Sequence, residues 1–213
     1  MAEPLISPQL SEYLQSLVPE RHAELRAMEE RARETDFPII GPVAGHFCYL
    51  VAKLIGARRI FELGSGFGYS TAWFARAVAE HGSGEVHHVV WDAALSREAR
   101  ERLARMGFAG LVRYHVGEAV ETLRQIDGPF DLIFNDIDKR GYPGAFPVIA
   151  QQLRPGGVLI VDNLLWSGRI FDPADTSPDT EGVRAFTRVV FDDPGWTATI
   201  VPIRDGLLMA RKA

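Results

Sequence analysis

The sequence predicts an α/β protein: a mostly parallel sheet with helices on both faces and an antiparallel C-terminal edge. Two observations carry this expectation. From residue 59 onward, short apolar runs alternate with amphipathic helical stretches, the pattern of a parallel sheet buried between helical layers. The last two apolar runs, by contrast, have no helix between them and are joined by Arg204-Asp205-Gly206, a hairpin-like turn signal.

Taken in order, residues 1–36 form a helical arm. Leu10, Tyr13, Leu14 and Leu17 stand at i, i+3, i+4 and i+7, one apolar helical face. Residues 20–35 are rich in Ala, Glu and Arg, and predict a helix with a solvated face laced by i,i+4 pairs. After Asp36-Phe37-Pro38, residues 37–213 form a single α/β domain that opens with a helix over 43–54. Strands follow at 59–63, 86–91, 112–116, 131–134 and 158–161, the last fed by the turn Arg154-Pro155-Gly156-Gly157. Helices are predicted at 69–79, at 96–106 with Ser96 as its cap and Glu98 in its first turn, at 119–125 and at 145–153. A loop with Pro173 and Pro178 precedes a helix at 183–191, and strands at 197–201 and 207–210 close the chain.

At 213 residues, 46% of them hydrophobic, the chain suffices for one sizeable core. The net charge of −5 is spread along the sequence, which excludes duplex nucleic acid as the default partner. One cysteine, Cys48, lies in an apolar run and reads as a small buried hydrophobe in a reducing compartment. No apolar run is long enough for a membrane span and no basic-then-apolar leader opens the chain, so a cytoplasmic protein is expected.

The loop Gly64-Ser65-Gly66-Phe67-Gly68 follows the first strand and opens a helix, where α/β sheets bind ligands. Its spacing is not G-x-G-x-x-G, since Tyr69 holds the place of the last glycine, and no phosphate-binding G-x-x-x-x-G-K-[ST] loop exists. Glu62 would oppose a pyrophosphate but suits a ligand with an ammonium group, such as the methionine end of S-adenosylmethionine (SAM). Asp92, ending the second strand, stands where an acid accepts hydrogen bonds from ribose hydroxyls. Together these residues favour an adenosyl cofactor over a dinucleotide.

The fourth strand ends in Asn135-Asp136-Ile137-Asp138-Lys139 and the fifth in Asp162-Asn163. Parallel strands bring Asp136, Asp162 and Asn163 to the carboxyl edge that carries the glycine loop. Three hard oxygen donors suit a divalent cation, Mg²⁺ first, with Mn²⁺ or Ca²⁺ as alternatives. An aromatic acceptor with two adjacent oxygens can chelate such an ion, which stabilises its phenolate and fixes its direction. Lys139 stands where it can take the hydroxyl proton or support the anion. His87 and His88 are strand neighbours on opposite faces, so no joint site is expected, and His46 reads as an ordinary helix histidine.

These residues resemble the cation-dependent class I SAM O-methyltransferases of the caffeoyl-CoA and catechol type. The resemblance runs from Phe37 to Lys212 and rests on Phe61-Glu62-Leu63-Gly64 through Gly68-Tyr69-Ser70, Asp136-Ile137-Asp138-Lys139 with Tyr142, Leu153-Arg154-Pro155-Gly156-Gly157 through Asp162-Asn163, and Asp205-Gly206-Leu207. Leu165-Trp166-Ser167-Gly168 is similar to the family's substrate loop.

The resemblance implies a Rossmann-like seven-stranded sheet and a homodimer. It implies metal ligation by Asp136, Asp162 and Asn163, with Lys139 and Asp136 as the catalytic pair. Around SAM it implies Ile39, Ile40, Glu62, Gly64, Ser65, Gly68, Ser70, Asp92, Gly117, Glu118, Ala119, Asp136 and Asp138. Trp166 and Tyr142 would border a small hydroxylated aromatic substrate. Trp91-Asp92-Ala93-Ala94 departs from the family's acidic stretch, and the arm has no distinctive match. The acceptor therefore stays open: a catechol-type molecule is the first reading. A hydroxylated uridine in transfer RNA, or a SAM-binding protein without catalysis, are the alternatives.

Overall fold

A computed structural model describes residues 5–213. The helices are α1 (Pro8–Ser16), α2 (Ala23–Thr35), α3 (Gly41–Leu54), α4 (Tyr69–Glu80), α5 (Ala93–Arg105), α6 (Ala119–Gln125), α7 (Tyr142–Gln152) and α8 (Pro178–Asp192). The strands are β1 (Arg59–Leu63), β2 (Glu85–Val90), β3 (Val112–Val116), β4 (Phe130–Asn135), β5 (Leu153–Val161), β6 (Trp196–Val201) and β7 (Leu207–Lys212). They form a seven-stranded sheet in the order β3-β2-β1-β4-β5-β7-β6. Strands β1 to β5 pair in parallel, and β7 lies antiparallel to both β5 and β6. The expected antiparallel edge is present, with β6 outermost and the last strand of the chain inside it.

Strand alternation builds two cores. Ile60, Val86, Leu132, Phe134 and Ile160 face α2 to α5, while Phe61, Leu63, Val89, Ile133 and Leu159 face α6 to α8. Adjacent residues of each strand point to opposite faces, so continuous apolar runs are required where both faces are covered. Each face carries its own aromatic cluster, with Trp73 and Phe74 on one and Tyr142, Phe146 and Phe186 on the other.

The positions of β2 and β4 on either side of β1 make the β1–β4 boundary the point where strand order reverses. A crevice opens there at the carboxyl ends of the strands. The backbone closes tightly beneath it: the Asp136 amide donates to the Leu63 carbonyl at 2.9 Å, and the Asp162 amide to the Asn135 carbonyl at 3.2 Å. Glycine loop, Asp136 and Asp162 therefore sit on three adjacent strand ends.

Several local expectations are corrected. Leu10 and Tyr13 of α1 and Leu17 at its C-cap are exposed rather than packed; Leu14 alone of the four lines a cavity. Charges on α2 pair outward with α5, through Arg31–Glu98 at 2.7 Å and Glu24–Arg105 at 2.7 Å, rather than along the helix. An apolar stripe hidden among those charges, Leu25, Met28 and Ala32, is buried, so partner geometry set the pairing. Helix α5 starts three residues early because Asp92, not Ser96, caps it, accepting from the amides of Ala94 and Leu95 at 2.6 and 3.4 Å. Ser96 is buried in the helix. The Arg154–Gly157 turn is absorbed into β5, with a register irregularity opposite Phe130 and Leu132. Pro178 lies in the first turn of α8, where its missing N–H costs nothing. Among the described residues no helix is long and apolar enough to cross a membrane.

Candidate functional site

The glycine loop is a cradle by sterics. Gly64 has φ +88°, and a Cβ there would lie 2.5 Å from the Asp136 carbonyl oxygen. No side chain fits at that φ so close to backbone. Ser65 locks the loop to β2: its amide donates to the Val89 carbonyl at 2.9 Å, and its hydroxyl accepts from the Val89 amide at 3.0 Å. Gly68 serves a different purpose from the expected cofactor contact. A Cβ there would press on Ala99, so it lets α4 approach α5 and does not line the crevice.

Beneath the loop, Glu62 is fully buried, and neither of its carboxylate oxygens has a hydrogen-bond partner. Burial pushes its pKa up to about 7, against the pull of nearby Ser70, Thr71 and Ser65 hydroxyls; the charge of Asp136 adds to the rise. A buried carboxyl without partners is costly, and a cation arriving in the adjoining recess would relieve it. That recess, about 330 Å³, is lined by Ile39, Ile40, Ser65, Ser70 and Asp92 among others. A larger cavity of about 680 Å³ joins it through Gly64 and Asp136, and takes in Gly117, Glu118, Ala119 and Asp138. Apart from Glu62 below and Gly68 aside, the expected cofactor residues thus line one continuous space.

These features fit an adenosyl cofactor with an ammonium group. The carboxylate form of Glu62 is the one that would hold it, so binding below pH 7 must first displace a proton. The expected result is SAM affinity that falls by up to about tenfold per pH unit below 7. Glu62→Gln should weaken binding and flatten this dependence, as read by calorimetry from pH 5.5 to 8.5. The raised pKa also sets a stability sign: the fold is favoured below the ordinary carboxyl range and loses that contribution as pH rises through about 7.

On the other side of Asp136 the candidate metal donors meet. Asp136 Oδ1 accepts from Lys139 Nζ at 2.7 Å, and the same ammonium reaches the Ile137 carbonyl at 3.3 Å. Asp162 is 1% exposed. Its Oδ1 accepts from the Asn163 amide at 2.9 Å and its Oδ2 from Arg204 Nη1 at 2.7 Å. Burial and the nearby Asp136 charge push the Asp162 carboxyl up to about 6, against the opposing charges of Arg204 and Lys139. The Asn163 side-chain amide donates to Asp205 at 3.0 Å, which leaves its oxygen free to act as a ligand. Among the described residues no three His, Cys, Asp or Glu side chains converge as a metal site; the set here is two carboxylates and an amide. Their mutual repulsion and hard oxygen chemistry fit a divalent cation, with one Asp162 oxygen already shared with Arg204.

Trp166 and Asn163 border the 680 Å³ cavity and also a third, of about 750 Å³, walled by Leu14, Ile40, Val43 and Arg204. Trp166 is held by its indole N–H, which donates to Thr180 at 3.1 Å. Tyr142 does not border a substrate space as expected. It is fully buried, and its hydroxyl donates to the Asp162 carbonyl at 2.9 Å, which makes it a support beneath the donor set.

Three positions to which sequence reasoning assigned no role at the site matter here. Arg204 and Asp205 read as turn residues, yet both reach the donor set from the β6–β7 loop. Gly182 of α8 is the third: a Cβ there would collide with the Lys139 carbonyl and the Arg140 backbone. Gly182→Ala is expected to cost about 1–3 kcal/mol by overpacking and, by shifting Lys139, to lower kcat roughly tenfold or more with SAM affinity unchanged. A thermal melt and steady-state kinetics would check this; unaltered values in both would mean the helix gives way.

Comparison with known proteins agrees with this geometry. Residues 11–213 match a family model described as O-methyltransferase. Catechol O-methyltransferase of Niastella koreensis is 31% identical over 209 residues, covering 93% of this chain and 94% of the relative. Catechol O-methyltransferase of Mycobacterium tuberculosis is 34% identical over 158 residues, covering 74% and 70%. Among solved structures, the O-methyltransferase TomG of Streptomyces achromogenes in complex with SAM aligns over 100% of both chains, with a TM-score of 0.88 and 32% identity. The Bacillus cereus O-methyltransferase in complex with SAH aligns over 96% of this chain and 97% of its own, with a TM-score of 0.86 and 28% identity.

Proposed function

Because this chain belongs to the O-methyltransferase family and takes its methyl group from SAM, we propose that its acceptor is a small catechol-type aromatic bound beside a divalent cation. The observation that carries the reading is that Asp136, Lys139 and Asn163 line one cavity at the carboxyl edge, with Asp162 bonded to Arg204 of the same wall and a second cavity of mixed polar and apolar lining adjoining them. Two relatives bearing the name catechol O-methyltransferase support the acceptor class.

The chain's own residues divide the work. Asp136, Asp162 and Asn163 hold the cation, with Mg²⁺ the first choice for an all-oxygen set. The bound ion supplies Lewis acidity that favours the ionised form of an acceptor hydroxyl. Lys139, only 11% exposed and fixed by Asp136, is placed as an ammonium to stabilise that anion; only as the neutral amine would it receive the proton. Trp166 offers a flat apolar face at the junction of the cavities. Orientation then supplies much of the rate, since the sulfonium methyl needs only an aligned nucleophile.

The test is methyl transfer from SAM to a panel of catechols, with Mg²⁺ and again with EDTA, read by product mass. Methylated catechol that disappears with EDTA is the expected result. Product that survives EDTA would overturn the metal role, and absence of product with SAM bound would overturn the acceptor class.

A further inference from the structure

Five non-glycine residues among those described have a left-handed backbone; one of them, Asn163, belongs to the donor set, Arg204 bonds to Asp162, and Trp166 and Ser167 follow in the loop tied to Asp205. Such strain persists where surrounding structure enforces it, and it gathers at functional sites. Arg204 is the notable case. Its φ of +54° would suit glycine, yet the position carries a long cationic side chain directed at Asp162.

The contact is one-sided. Asp162 is 1% exposed and Arg204 35% exposed at the side chain. Among the described residues, the 2.7 Å bond to Asp162 Oδ2 is the only hydrogen bond its guanidinium makes. Lys139, by contrast, is tied to its own loop by two acceptors. Arg204 therefore sits on the buried carboxylate as a cap that can leave toward the cavity it lines. The Asp162 oxygen that it covers is one of those a divalent cation needs.

We infer that Arg204 is a resident counter-ion of Asp162 that competes with the divalent cation for that carboxylate, so metal loading requires the guanidinium to swing out. The inference rests on the metal-assisted reading proposed above. Without metal, Arg204 neutralises a charge that burial would otherwise penalise. With metal, that role passes to the ion, and the lost bond weakens its affinity. Charge alone drives this exchange, so it needs neither SAM nor acceptor.

The experiment is Mn²⁺ binding to the full chain without SAM or acceptor, followed by the loss of the free Mn²⁺ spin-resonance signal. It compares the unaltered protein with Arg204→Gly, Arg204→Asn and Arg204→Lys. Glycine and asparagine both tolerate the left-handed backbone, which guards against a folding failure. Removing a charge-assisted competitor should tighten Mn²⁺ binding by roughly ten- to a hundredfold in the Gly and Asn proteins, with Lys remaining within about threefold of the unaltered chain because it keeps a cation. In EDTA the Gly and Asn proteins should melt at lower temperature, and saturating Mn²⁺ should raise their midpoints more than that of the unaltered protein.

Binding by the Gly and Asn proteins but not by the unaltered or Lys proteins would support the inference in its strongest form. Equal or weaker affinity in the Gly and Asn proteins would overturn it while leaving the metal-assisted reading in place. Absence of Mn²⁺ binding in all four would instead overturn that reading, and the inference with it.

Discussion

Asp162→Ala is expected to lower kcat by roughly 10²- to 10³-fold while SAM affinity stays within about threefold. Asp162 is on β5's carboxyl end, away from the glycine cradle, and it does not line the recess beside Gly64. Its carboxyl is buried and pushed up to about 6 by burial and by Asp136. Ionised Asp162 is thus held at a cost to the fold, and the variant should melt near the temperature of the unaltered protein. That combination separates a functional carboxylate from a structural one: a buried ion pair kept for stability would lose the fold first. Turnover assays, SAM calorimetry and a thermal melt on the same preparation read the three quantities. Loss of SAM binding alone would contradict the ligand assignment.

The second large effect is expected at Lys139. Lys139→Ala should lower kcat by about 10²- to 10⁴-fold, the range of a positioned acid or base, with much less change in KM. Lys139→Arg keeps a cation near Asp136 but offers no group that readily accepts a proton. A deficit as deep in Arg as in Ala would identify proton transfer; recovery in Arg would identify electrostatic support. Near-normal turnover in Ala would remove Lys139 from the reaction. The lysine packs 5.3 Å from the Tyr142 ring centroid and 5.8 Å from that of Trp166, so a melt is needed to show that packing is not the cause.

The two effects share a lever in Gly182. Lys139 and Arg140 sit in a short 3-10 turn that a side chain at 182 would displace. An activity loss there with intact Asp136 and Lys139 would show that α8 sets the position of the reacting edge.

Much of this was legible in the sequence. Strand–helix alternation gave the layers, because a strand covered on both faces must be apolar throughout and a covering helix apolar along a stripe. Glu62, Gly64, Asp136, Asp162 and Asn163 could be gathered at one edge because parallel strands all end on the same side. What stayed hidden depended on partners distant in the chain. The α2 charges look like a solvated face until α5 arrives to pair with them, and the α1 stripe looks like core although the fold leaves most of it exposed. Asp92 reads from sequence as a ribose acceptor with Ser96 as the helix cap, whereas in the fold Asp92 Oδ1 caps α5 while the residue still lines the recess. Tyr142 reads as a substrate neighbour, but its hydroxyl belongs to the Asp162 carbonyl.

Sequence by itself determined the alternation of strands and helices, the glycine loop and the gathering of oxygen-bearing side chains at one sheet edge, because these follow from period, residue type and adjacency. Tertiary structure alone decided that Arg204, 42 residues from Asp162 along the chain, closes over that carboxylate, and that Gly182 makes room for Lys139. Both depend on the β6–β7 turn and α8 folding back over the carboxyl edge, a long-range approach that leaves no periodic or compositional trace.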